Sequence, residues 1–394
     1  MRSFLSGSII EGRDLDALKC AVMERLRVKS ALLCGSGSLA LEIALRVYGV
    51  GEGHEVIMPT FCCSSIVPPV LSVGASPVLA DVGDDLNINA DTAAAVVTAK
   101  TRAIIVPHLF GNPANIKAIV DFAHQKNIRV IDDAAQALGA TIDGRPVGSF
   151  GDVGILSFGS EKVCFGVGGG MVVSRQQELL NSHLKIDLSE PDLSSTLQNF
   201  LSTLVWWRWR RWTLPLQKWL SHAKTAGPDS TPSPYRREIL ANLNAAVARS
   251  LVETLDGNIA ARRLRIRAYQ ELLGSEEGLT LLPHRPGSAC LTQVVRILPI
   301  SAGDDLSARL IGALRQAGYE IQGSYVPIHL LSHWNFPVQK RLSHAERIWT
   351  DLIELPCEPE VNLRHIETIA AAIKKALKKP STPFRASLTP LRLK

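Results

Sequence analysis

The chain has 394 residues, of which 46% are hydrophobic and 20% charged, with a formal net charge of +6. That is enough chain for one large domain with a sizeable core and a smaller one, and the modest basic balance falls short of a dedicated nucleic-acid binder. Seven cysteines, an odd number without metal-ligand spacing, argue against a disulfide framework, offer no metal site and point to the cytosol. The start MRSFLSGSIIEGRD lacks the apolar core of a secretory signal, and no window supplies the roughly 18 apolar residues of a spanning helix.

Leu15, Leu18, Val22 and Leu26 recur at helical spacing and predict an amphipathic helix over 14–27. Residues 31–33 predict a short strand. CGSGSLALEIALRVYG then predicts a turn and a helix opening at Ser36, Gly37 and Ser38. Open N–H groups at a helix start can hold an anion, although small residues there also serve as plain caps. Residues 55–58 predict the next strand, followed by PTFCCSS, in which Phe61 also reads as ordinary core. Residues 77–80 and 103–106 predict further strands, and His108 opens the turn HLFGNP after the second. A helix over 114–126 leads to a strand over 128–131. Strands alternating with helices imply a mainly parallel sheet covered on both faces.

Chemistry concentrates between Ile131 and Arg175, in IDDAAQALGATIDGRPVGSFGDVGILSFGSEKVCFGVGGGMVVSR. Asp132 and Asp133 stand where one apolar run stops. Residues 153–158 form a second run, which leads through Ser157 to Lys162. A glycine cluster over 166–170 opens a third run over 171–173. Ligands in α/β sheets sit at the carboxyl ends of strands. Lysine can form a Schiff base with pyridoxal 5'-phosphate (PLP), and an aspartate beside the ring nitrogen keeps the pyridinium an electron sink. Lys162 and Asp133 supply that pair, and the Ser157 hydroxyl is a candidate phosphate donor. Taken singly, such a lysine is commonly a solvated surface residue and adjacent aspartates are commonly helix caps. Their order and spacing together favour the cofactor reading.

DDAAQALGA, then GSFGDVGILSF, then Lys162 and a glycine-rich turn resemble the DegT/DnrJ/EryC1/StrS aminotransferases. The resemblance covers about 31–175 and returns more weakly over 239–275 and 319–379. It implies a fold-type I PLP enzyme: a large domain with a seven-stranded, mainly parallel sheet covered by helices, plus a smaller C-terminal α/β domain. It also implies that Gly37 and Ser38 bind the cofactor phosphate, that Phe61 stacks on the pyridine and that Gln136 lies near the phenolic oxygen. The HLFGNP turn resembles a family turn, with His108 open as a substrate contact or a structural histidine. His329, in YVPIH, falls in a segment resembling one near the family's active site. Gly168 stands where the family has a glutamate, and no asparagine stands where the family reaches across its dimer to the phosphate; Arg236 or Arg237 is the candidate replacement.

Residues 183–235 diverge from that pattern. Five of the seven tryptophans fall between Trp206 and Trp219, and Leu201, Val205, Trp209, Trp212, Leu216 and Trp219 share one helical stripe. Arg208, Arg210 and Arg211 fall largely outside it, and Pro215 kinks or divides the helix. Two readings stay open: a helix packed on the body or a partner subunit, and a peripheral membrane contact. Residues 223–234 read as a linker. An apolar pattern over 239–273 predicts one bridging helix, 278–299 and 319–329 hold short strand patterns, and 363–378 predicts a closing helix. Residues 380–394 read as a loose tail.

The domain expectation is thus 1–238 for the PLP-binding domain, 239–379 for the bridging helix and small domain, and 380–394 for the tail. The expected activity is amino transfer from an amino acid, L-glutamate first, to the keto group of a nucleotide-linked deoxysugar, in a cytoplasmic homodimer that binds no nucleic acid. A cyclitol or other small ketone as acceptor stays open. So does a non-catalytic protein on the same fold that docks on membrane or partner through residues 201–220.

Overall fold

The computed structural model describes residues 8–164, 166–180, 187–204, 235–298, 306–319, 323–334, 336 and 341–378. The stretch from Trp206 to Trp219, the 223–234 linker and the 380–394 tail lie outside the described residues.

The apolar runs form the strands β1 (Ser30–Cys34), β2 (Glu55–Pro59), β3 (Ser76–Ala80), β4 (Thr101–Pro107) and β5 (Arg129–Asp133). A two-residue hairpin, β6 (Thr141–Ile142) with β7 (Arg145–Pro146), precedes β8 (Val153–Ser157) and β9 (Gly170–Ser174). Seven of these strands make one sheet in the order β1-β9-β8-β5-β4-β2-β3. Neighbours from β3 to β8 pair parallel, whereas β9 runs antiparallel to both β8 and β1. Pro107 registers with Asp133, and Asp133 with Ile155. The chemistry-bearing residues that follow β4, β5 and β8 therefore emerge along one edge of the sheet.

Helices α1 (Asp14–Leu26), α2 (Gly37–Val47), α3 (Val67–Ser72), α4 (Ala90–Ala94) and α5 (Ile116–Gln125) alternate with the strands. Leu18, Val22 and Leu26 of α1 bury against Leu156, Met171 and Val173 in one core cluster. A second cluster joins Ile57, Ile104 and Val130 to Ile116 and Ile119 of α5. Each such side chain taken from water contributes about 1.5–3 kcal/mol.

Two expectations change. The single helix over 239–273 is two helices, α6 (Asn242–Glu253) and α7 (Leu255–Leu273). Between them the Thr254 hydroxyl donates back to Ser250 O at 3.1 Å. A break of one residue leaves the apolar periodicity intact, so the pattern could not reveal it. In place of a strand over 319–329, the described residues hold an isolated bridge from Gly323 to Ile353 and a 3₁₀ turn at Ile328–Leu330. Pro327 has no N–H for a ladder, and the Ile328 N–H is already spent on Thr60 O at 2.7 Å.

The chain divides into two compact units: Met1–Ala260 with His284–Leu291 and Tyr325–Arg347, and Ala261–Pro283 with Thr292–Ser324 and Ile348–Lys394. The first therefore runs past residue 238, because Ala245, Ala248 and Val252 of α6 share the α1 core. The second holds β10 (Leu279–Leu281), β11 (Gln293–Ile297) and β12 (Leu352–Leu355), joined antiparallel. With them pack α8 (Leu306–Gln316) and α10 (Leu363–Leu377), through Leu310, Ile369 and Ile373. The helix α9 (Ser343–Ile348) lies at the end of the first unit's last segment. Among the described residues, no helix is long and apolar enough to cross a membrane.

Candidate active site

Lys162, Asp133, Gln136 and His108 line one cavity in the first unit, with Cys63 and Ser65 on its wall. Asp133 terminates β5 and is 5% exposed. Its Oδ1 accepts the Ala135 N–H at 3.0 Å. Burial raises the pKa of this carboxyl above the ordinary carboxylate range, against the opposing pull of the Ala135 N–H and of Lys162.

The neighbouring Asp132 is engaged differently. Its side chain is fully buried and accepts from His108 Nε2 at 2.7 Å, from Phe150 N at 2.7 Å and from Gly151 N at 3.4 Å. His108 Nδ1 accepts the Ala114 N–H at 2.9 Å, so its ring proton sits on Nε2, facing Asp132. Both ring nitrogens of His108 are thereby used within the protein. Although His108 lines the cavity, it offers neither nitrogen to a substrate in this arrangement.

Gln136 accepts the Phe110 N–H on Oε1 at 2.9 Å and donates from Nε2 to the Tyr325 hydroxyl at 3.0 Å. Tyr325 is 189 positions away in the chain, so local sequence reading carried no signal for this contact.

A second group gathers at the start of α2. Ser36 caps the helix, its Oγ accepting the Leu39 N–H at 3.1 Å. Gly37 follows because a side chain does not fit: a Cβ there would lie 2.8 Å from Ser157 Cβ and 3.0 Å from its Oγ. The glycine cluster answers the same crowding from β9, since a Cβ on Gly170 would lie 2.2 Å from Ser36 O. Ser38 Oγ donates to Ser65 O at 3.3 Å, and Ser65 lines the cavity, so this group adjoins it. Ser157, distant in sequence, thus meets Gly37 at the N-terminus of α2, where the dipole favours an anion.

Phe61 and His329 are not among the residues that line this cavity. Phe61 is fully buried, with its ring 6.5 Å from Phe110 and 6.0 Å from Tyr325. The residues after it, Cys62 and Cys63, form the wall instead. Strand-end reasoning applied to the whole of PTFCCSS would have found them. Burial pushes the Cys62 thiol well up, away from the reactive thiolate. His329 pairs through Nδ1 with Thr60 Oγ1 at 2.7 Å and through Nε2 with Glu346 at 3.3 Å. Burial lowers its pKa, against the pull of Glu346. Arg237 is bound to Glu42 of its own chain, a buried carboxylate that also receives Tyr235 and Arg46.

The model of the DegT/DnrJ/EryC1/StrS aminotransferase family matches residues 2–200 and 232–374. The chain belongs to the DegT/DnrJ/EryC1/StrS aminotransferase family. A GDP-perosamine synthase of Caulobacter vibrioides is 27% identical over 373 residues, 93% of this chain and 91% of that protein. A UDP-N-acetyl-3-dehydro-alpha-D-glucosamine 3-aminotransferase of Acidithiobacillus ferrooxidans is 44% identical over 176 residues. That match spans 44% of this chain and about half, 47%, of the relative. Among solved structures, DesV of S. venezuelae superposes with a TM-score of 0.76 at 24% identity, covering 96% of this chain and 94% of that one. The fold is that of the fold-type I aminotransferases. As a member of this family, the chain is an aminotransferase.

Proposed function

We propose that this DegT-family member is a PLP-dependent enzyme that moves an amino group from an amino acid, L-glutamate first, to the keto group of a nucleotide-linked deoxysugar. The observation that carries the reading is that Lys162 and Asp133 line one cavity in a chain similar along most of its length to a GDP-perosamine synthase. The residues suit the cofactor. An amine and a buried carboxylate share the cavity, and the glycine at α2 leaves room beside Ser157 that a Cβ would fill.

When bound, PLP supplies an aldehyde for amines and a ring that accepts electron density. Lys162 provides the anchoring amine. The same amine, when free, would be the base that takes the proton from the donor's α-carbon. Asp133 would hold a proton on the ring nitrogen, and its burial would strengthen that bond by excluding water. Gly37, Ser38 and Ser157 would receive the phosphate. His108 and Asp132, saturated by each other and by backbone, stiffen the floor beneath Asp133.

Lys162→Ala is expected to abolish turnover of glutamate with a panel of nucleotide keto sugars. Wild-type rates in that variant remove the assignment. A homodimer in the cytoplasm is part of the family reading; sedimentation at equilibrium is expected to give twice the chain mass, and the mass of a single chain ends that part of it. The alternation of tryptophan and arginine between Trp206 and Trp219 suits a peripheral membrane contact. Liposome co-sedimentation decides that point: deletion of residues 201–220 is expected to lower recovery with vesicles, and equal recovery ends the idea.

A further inference from the structure

We infer that Tyr325 is a positioning residue, which together with the Phe110 backbone fixes Gln136 as a hydrogen-bond donor toward the cavity. The inference rests on the reading that this cavity holds PLP.

The backbone N–H of Phe110 can only donate, so the atom of Gln136 it meets at 2.9 Å must be the amide oxygen. That contact fixes the nitrogen on the other side, where Nε2 donates to the Tyr325 hydroxyl at 3.0 Å. An amide nitrogen carries two hydrogens. Tyr325 takes one, and the second is what this cavity-lining side chain can offer a ligand. Without the hydroxyl, the amide keeps its oxygen on Phe110, but nothing sets the angle at which the second hydrogen enters the cavity.

The rings reinforce the same arrangement. Phe110 has φ 59° and ψ 21°, a left-handed conformation that a bulky residue adopts only when its surroundings require it. Its ring stacks on Tyr325 with centroids 5.9 Å apart and planes 22° from parallel. Phe61 packs edge-on against Tyr325, at 74°. Phe110 backbone, Gln136 amide, Tyr325 phenol and the stacked rings thus close a circuit among three distant parts of the first unit. The circuit also accounts for the fully buried Phe61, which braces the tyrosine.

A fixed donor at this point suits an anionic oxygen; with the PLP phosphate assigned to the start of α2, the phenolic oxygen is the one left for Gln136, as the family resemblance implies. A donor there lowers the basicity of that oxygen, so its loss raises the pH at which the visible absorption band of the bound cofactor converts. The test is a spectroscopic pH titration of the PLP-loaded wild type, Tyr325→Phe, Gln136→Leu and the double variant, with PLP affinity measured alongside. Gln136→Leu is expected to raise the midpoint by about one unit. Tyr325→Phe, which keeps the ring stacking, is expected to raise it by roughly half as much, with no more than a few-fold loss of PLP affinity. The double variant should match Gln136→Leu alone, because the tyrosine acts through the glutamine. Titration of Tyr325→Phe at the wild-type midpoint, or a double variant equal to the sum of the singles, overturns the inference. A wild type that takes up no PLP overturns the functional reading instead, and the two failures are distinguishable.

Discussion

Asp132 and Asp133 are adjacent and both buried, yet the same substitution should act on them in opposite ways. The Asp132 carboxylate meets donors on every side: His108 Nε2, Phe150 N and Gly151 N. Asp132→Asn exchanges one acceptor oxygen for an NH₂ group, which must then face either the imidazole N–H or a backbone N–H. Moving the ring proton to Nδ1 gives no relief, because Nδ1 would then oppose the Ala114 N–H. At least one buried donor is left unpaired, at about 1–3 kcal/mol, and a charge-assisted bond is weakened as well. The sum is about 2–4 kcal/mol, a fall in Tm of roughly 2–5 °C for a chain of this size. Asp133 makes a single backbone bond and its pKa is raised by burial. Its charged form is thus less favourable folded than unfolded. In the PLP-free protein this group costs stability at neutral pH, and the cost fades as pH falls through the raised folded-state value toward the ordinary 3.8. Asp133→Asn should leave the PLP-free protein at least as stable at neutral pH, remove that pH dependence and abolish amino transfer. Denaturant and thermal midpoints of both variants, with and without PLP, make the comparison. An Asp132→Asn protein as stable as wild type, or an Asp133→Asn protein that is markedly destabilised, refutes the reasoning.

At Gly37, helix propensity alone favours alanine by about 0.5–1 kcal/mol. The new Cβ, 2.8 Å from Ser157 Cβ, should reverse the sign through overpacking of about 1–3 kcal/mol and weaken PLP binding at least tenfold; a stabilised variant with unchanged PLP affinity contradicts the crowding. Burial opposes charge on Glu42, but hydrogen bonds from Arg237, Tyr235 and Arg46 more than offset this and hold its pKa below 4.5. Its contribution is fully present above that value and is lost as pH falls through the lower folded-state one. Glu42→Gln should cost about 1–3 kcal/mol at neutral pH and flatten the acid limb of a stability–pH curve; an unchanged acid limb counts against the cluster.

The sheet was legible because a strand covered on both faces must be apolar throughout. Residues 55–58, 103–106 and 153–158 therefore announced β2, β4 and β8 directly. That Asp133 and Lys162 share a cavity was legible for a related reason: both stand at or just past the ends of such runs, and residues so placed collect at one edge of the sheet. The Tyr325 contact could not be read, since it exists only after Gln136 and a segment 189 positions later meet. Phe61 keeps both of the readings that its sequence position allows. An aromatic ring beside a candidate site is equally suited to the core, and here the smaller Cys63 takes the wall while Phe61 packs behind Tyr325. The break at Thr254 and the short helices α3, α4 and α9 lie below the length at which periodicity carries information.

The most direct test of the whole account is chemical. Protein loaded with PLP, reduced with borohydride and digested, is predicted to carry the cofactor mass on the peptide containing Lys162 and on no other. Labelling at a different lysine, or none after saturation with PLP, contradicts it.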